Sequence, residues 1–322
     1  MFDAIWGQAP AIETLTRALD ANKVHHAYRF EGPDGVGKEK AAFALAQALV
    51  CERAGARACG ECSACQRAVT LAEDEPRVPQ HPDVVLVQRG LYPQNIIGAS
   101  EATGISVEQI RRVVLGRSGF PPHEGRALVF IVKDAHELTI QAANSLLKTL
   151  EEPGDKSHFI LLTSRPNRLL DTIRSRTLAV RFGPLADDVI ARILREHGAD
   201  DSVAPLAQGS ASLALDMSEP ERMKSREEFL TAAQAALAAP DLATAIDLAK
   251  DRKETRDVLR ESLAFFAQHL AMEARDRIAT APAEAERAAQ RHALVLTTIA
   301  EVERNVQPTL ALEAMVTRLR RV

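Results

Sequence analysis

The chain has 322 residues, a formal net charge of −4, 46% hydrophobic and 26% charged side chains. That length accommodates two or three domains, the composition is that of an ordinary globular protein, and the slightly acidic balance excludes a bulk polyanion binder while leaving room for a local basic face. No stretch resembles a signal peptide and none is an apolar run of about 18 residues that could span a bilayer, so the expected compartment is the cytoplasm, with no membrane partner.

Aromatic residues are scarce at 4%, and the abundance of Ala and Leu predicts a helix-rich chain. Residues 8–21 read as a helix, with Pro10 in its first turn and Ile12, Leu15 and Leu19 on one face. His25 and His26 precede the first strand, either as packing residues or as a metal pair. An apolar run over 27–31 leads into Gly32-Pro33-Asp34-Gly35-Val36-Gly37-Lys38-Glu39, and a helical pattern follows to about residue 50. Strand, glycine-rich turn and helix are the context of a P-loop, in which backbone N–H groups and a helix N-terminus cradle phosphate and the lysine reaches the outer phosphates. Gly32, Gly35, Gly37 and Lys38 are in place. Glu39 stands where the pattern asks for a Ser or Thr hydroxyl to ligate magnesium.

All four cysteines follow, as Cys51 and the cluster Cys59, Cys62 and Cys65. Overlapping Cys-x-x-Cys steps with a fourth thiol upstream match a structural zinc ion held by four thiolates. A strand is expected over 83–87, and 88–104 reads as a long loop. Ser106 opens a capping box for a helix to about residue 115, with Arg111, Arg112, Arg117 and Arg126 either a solvated face or phosphate contacts to DNA. The strand 127–132 ends near Asp134 in a Walker-B pattern, whose acid holds the magnesium shell. Ala135 follows that aspartate, with Glu137 two positions further on. A helix carrying Ala142, Ala143, Leu146, Leu147 and Leu150 ends at Pro153. Strands over 158–163 and 178–182 flank the turn Arg165-Pro166-Asn167, a short helix over 169–175 and Arg174-Ser175-Arg176-Thr177. Five apolar strands alternating with helices predict an α/β fold with a parallel sheet, its ligand site at the carboxyl ends of the strands. Gly183-Pro184 marks a boundary, and everything beyond it reads as helix.

Several phrases resemble the bacterial clamp-loader family of AAA+ proteins: Trp6-Gly7-Gln8, the run His26 to Gly32, the cysteine cluster, and Ala143-Asn144-Ser145-Leu146-Leu147-Lys148-Thr149-Leu150-Glu151-Glu152-Pro153. The motifs cover about 1–215; beyond that the resemblance rests on helical pattern. It implies a nucleotide-binding-like domain over 1–183 with its zinc module at 51–65, a helical lid over 184–220 and a helical collar over 221–322. It also implies a hetero-pentameric ring with gamma/tau-like and delta-like subunits of DNA polymerase III, acting on a sliding clamp and primer–template DNA. Within the family two readings compete, an ATP-hydrolysing motor and a non-hydrolysing stator that lends an arginine to its neighbour's ATP. Glu39, Ala135 and Ser212 each replace a group that the motor uses on its own nucleotide, as a non-hydrolysing stator requires, while Lys38 and the P-loop glycines survive, so ATP binding is expected to be weak or magnesium-independent, or else absent with the loop purely structural. Arg176 stands in the family's trans-acting position, with Thr177 replacing a cysteine, and Arg174 is a second candidate. The plain alternative for Arg176 is a surface salt bridge. A free-standing DNA-binding protein fits poorly with the acidic balance and the lack of an aromatic-studded basic groove.

Overall fold

The computed structural model describes residues 1–53, 55, 57–99, 104–154, 156–243, 246, 256–304 and 306–322. They fall into two compact units, Met1–His197 with Ala207–Leu213, and Gly198–Leu206 with Ala214–Val322.

The first unit is built on five strands, β1 (Ala27–Glu31), β2 (Val84–Val87), β3 (Leu128–Val132), β4 (Ser157–Thr163) and β5 (Leu178–Arg181). They pair in parallel in the order β2-β3-β4-β1-β5, which confirms the α/β class. A parallel sheet covered on both faces needs near-continuous apolar strands, and every residue of β2 and β3 is buried. One face of the core stacks Phe130 on Phe159, centroids 4.9 Å apart, beneath Ile110, Val114, Leu146 and Leu150. The helix Ile140–Glu151 is started by Thr139, whose Oγ1 accepts from the Ala142 N–H at 3.2 Å.

The segment expected as a loop over 88–104 contains a helical turn, Gln94–Ile97. Buried Ile97 and the Tyr92 hydroxyl, which donates to the Leu86 carbonyl at 2.9 Å, tie it to the sheet; residues 100–103 of that segment lie outside the described residues. The helix opened by Ser106 continues past 115. It runs as Val107–Gln109, a wider π turn Ile110–Leu115, and Gly116–Ser118.

The second unit is helical, with Pro220–Ala238, Arg256–Arg277, Pro282–Glu303 and Pro308–Leu319 as its long elements. Pro220, Pro282 and Pro308 occupy first turns, where a missing N–H costs nothing. Its core gathers Phe229, Phe266, Leu263, Val295 and Met315. Among the described residues no helix is long and apolar enough to cross a membrane.

Candidate functional site

The P-loop leaves β1 at its carboxyl end and feeds the helix Lys38–Val50. Gly32 is required there: at φ +154° a Cβ would lie 2.2 Å from the Phe182 carbonyl oxygen. Gln8 fastens the loop's far side, donating through Nε2 to the Val36 and Gly183 carbonyls while its Oε1 accepts from the Gly183 N–H. Residues 210–212 close over the turn. The Ala211 N–H donates to the Gly35 carbonyl at 3.0 Å, and a side chain at Gly35 would collide with Ser210 and Ser212. Ser212 therefore sits against the P-loop with its short side chain.

Lys38 is buried and turned back on its own loop, its ammonium donating to the Gly32 carbonyl at 2.7 Å and to that of Pro33. Asp34 lies 3.6 Å from it. Burial lowers the Lys38 pKa, against the raising effect of Asp34 and Asp134. Burial raises that of Asp134, which takes a left-handed conformation (φ +49°) at the entry to the turn Ala135–Glu137.

Glu39 does not project free into the site. Its Oε2 lies 2.9 Å from Nζ of Lys133, the residue that directly follows β3. At the carboxyl end of β3 the group facing Glu39 is thus an ammonium, one position ahead of Asp134. Magnesium at a P-loop takes a Ser/Thr hydroxyl and a strand-end carboxylate. A carboxylate already paired with an ammonium does not fit that ion. On β4, Thr163 is buried and its Oγ1 lies 3.2 Å from His136 Nδ1, a pair that no motif spacing marks in the sequence.

A second constellation lies at the β5 side. Arg29 sits on β1 and is only 7% exposed. Its Nε pairs with Glu31 at 2.5 Å, and its Nη1 donates to the Arg174 carbonyl at 2.9 Å and to Thr177 Oγ1 at 2.6 Å. Thr177 in turn donates to the Ile173 carbonyl at 2.8 Å. One buried guanidinium thus sets the backbone of the Arg174–Thr177 loop. Arg176 reaches the surface from it and binds Glu151, Nε to Oε1 at 2.7 Å, with Nη1 on the Thr172 carbonyl. Arg174 pairs with Asp171.

The four cysteine sulfurs lie within 4.8 Å of one another. Cys51 to Cys59 is 3.7 Å, Cys51 to Cys62 4.0 Å and Cys59 to Cys65 3.8 Å. A tetrahedral ion about 2.3 Å from each sulfur requires a sulfur–sulfur spacing of about 3.8 Å, so the cluster fits a metal. The Cys62 and Glu61 N–H groups hold the Cys59 thiol down at about 6, and burial raises that of Cys65.

The remaining candidates are spent locally. The His25 Nδ1 lies 2.8 Å from the Ala27 carbonyl and the His26 Nε2 3.0 Å from that of Leu150. Arg112 donates to the Ile96 carbonyl, Arg117 to that of Pro82 and Arg126 to that of Ala48. Arg111 is exposed.

This sheet order, with a P-loop at the end of β1, defines a nucleotide-binding-type domain of the AAA+ class. More narrowly, residues 7–186 match the family described as DNA polymerase III, delta subunit, and the chain belongs to that family. It is 36% identical over 212 residues to the DNA polymerase III subunit gamma/tau of Mycobacterium tuberculosis H37Rv, covering 64% of this chain and 33% of that protein. It is 31% identical over 226 residues to the DNA polymerase III subunit delta' of Bacillus subtilis 168, covering 69% and 60%. The chain thus spans between a third and three fifths of these relatives. A crystal structure of a DNA polymerase III gamma subunit-related protein from Thermotoga maritima matches over 97% of this chain and 99% of that one, at 17% identity and a TM-score of 0.53, a likeness of fold.

Proposed function

We propose that this chain is the delta-prime-like, non-hydrolysing subunit of a DNA polymerase III clamp loader. It stands in a hetero-pentameric ring beside gamma/tau-like and delta-like subunits and serves sliding-clamp loading on primer–template DNA in the cytoplasm. The observation that carries this reading is the Glu39–Lys133 ion pair, 2.9 Å across, at the position where hydrolysis requires a magnesium ion. Ser212 stands at a further position where the motor needs another group. Arg176, by contrast, is at the surface on a loop held by the buried Arg29. In this reading it stabilises charge on the neighbour's ATP, an effect worth roughly 10³–10⁵ in rate. The four cysteines hold a structural zinc ion, which closes the segment 51–65 on itself just past the helix Lys38–Val50, whose C-cap is Cys51. The lid comprises residues 184–220 and the collar 221–322.

The motor reading has its own support, since the gamma/tau relative is the more identical, 36% against 31%. Steady-state ATPase separates the two. The purified chain with Mg²⁺ should turn over no ATP, and a ring reconstituted with Arg176→Ala should lose most of its activity. Turnover by the chain alone would establish the motor instead.

A further inference from the structure

A P-loop that had merely decayed would have no reason to place a cation opposite Glu39. A carboxylate at that position repels a phosphate chain and by itself would close the loop to nucleotide. Lys133 neutralises it from the end of β3, at 2.9 Å, and its side chain is 30% exposed. A divalent ion bound to Glu39 at about 2.1 Å would stand within about 5 Å of that ammonium, a like-charge approach that disfavours it. The rest of the cradle is intact, with Gly32, Gly35 and Gly37 all in left-handed conformations and Lys38 at the helix start. Two carbonyls now occupy the Lys38 ammonium, and phosphate oxygens could displace them.

We propose that Lys133 is the permanent counter-cation of this P-loop, so that the loop takes the phosphate chain of a nucleotide without a metal. This deepens the non-hydrolysing reading and rests on it for the assignment of Glu39. A metal-free triphosphate would be held by Lys38, Lys133 and the loop N–H groups, with no ion to polarise the attacked phosphorus.

The test is titration of the full chain with a fluorescent ATP analogue, in EDTA and in excess magnesium. Wild type should bind at least as tightly in EDTA as in excess magnesium, which converts the nucleotide to its magnesium complex, whereas Glu39→Thr with Lys133→Asp should gain about tenfold or more from magnesium, as expected for a charge-assisted contact made or lost. Lys133→Met should weaken binding in EDTA. A tenfold gain from magnesium in wild type would overturn the proposal, as would no binding at millimolar nucleotide in either buffer. The wild-type arm stands whether or not the variants fold. Magnesium-dependent binding without turnover would defeat this inference alone; turnover would defeat the functional reading as well.

Discussion

Arg176 is held at the surface by Glu151, its Nε 2.7 Å from Oε1, which ties the loop before β5 to the last residue of the helix Ile140–Glu151. The pair is 32% and 47% exposed. An ion pair that open to solvent is worth about 0–1 kcal/mol, so in the proposed reading it is a resting place for the side chain, too weak to withhold the guanidinium from a neighbour's triphosphate. Glu151→Gln should therefore change the ATPase of the reconstituted ring by less than about fivefold, while Arg176→Ala should cost roughly 10³–10⁵. Steady-state rates at saturating ATP check this; equal losses in the two variants would make the pair itself the functional unit.

Arg29 is a different case, because its pair is buried. Its side chain and that of Glu31 are 8% and 14% exposed, and its other bonds reach the Arg174 and Thr177 carbonyls on either side of Arg176 and the Thr177 hydroxyl. Arg29→Met leaves Glu31 with only the exposed Arg181, 4.0 Å away, and should destabilise the chain by about 3–5 kcal/mol, read from the urea midpoint. Arg29→Lys should not restore the loss, since a single ammonium cannot reach Glu31, Arg174 and Thr177 in the fork geometry of a guanidinium. A neutral result in urea would mean that the loop is set by other contacts.

These two arginines show what could and could not be read from the chain. The strands were legible because a covered parallel sheet demands unbroken apolar runs, and the P-loop and cysteine cluster because their spacing is their chemistry. Arg29 lies inside an apolar run: its charge partner Glu31 is two residues on along β1, but Arg174 and Thr177 come beside it only through the β1–β5 pairing. Lys133 was missed for a similar reason. Spacing pointed to the acid at the strand's end, but β3 stops at Val132 and the residue facing Glu39 is the one before Asp134. The turn Gln94–Ile97 is too short to leave a helical period.

The cysteine cluster makes a prediction about composition as well as stability. Metal analysis of the purified chain should find about one zinc per molecule. Cys62→Ser should lower the melting temperature by roughly 5–10 °C, the shift that about 2–3 kcal/mol produces in a unit of about 200 residues. Cys62 also caps the helix Ser63–Val69 through its sulfur, so the serine variant retains a cap and isolates the loss of the metal ligand. An unchanged melt with no bound metal would reduce the cluster to four packed thiols.

Stability should also depend on pH through three histidines. His26, His81 and His158 all have pKa values lowered from 6.5, each chiefly by burial, reinforced at His26 and His158 by neighbouring histidines and opposed at His81 by Glu124 and Asp83. The folded chain keeps these imidazoles neutral, whereas the unfolded chain protonates them as pH falls through 6.5. The unfolded state then binds more protons, so stability is full above that point and declines below it until each folded pKa is passed. Each histidine can contribute a slope of up to about 1.4 kcal/mol per pH unit. The urea midpoint should be level between pH 8 and 7 and fall between pH 6.5 and 5. His158→Gln cannot be protonated and should flatten part of that fall without changing the plateau greatly. The difference between the two chains cancels any acid loss of metal from the cysteines, since both carry the same cluster. Parallel curves for wild type and His158→Gln would show that His158 takes no part in the acid response.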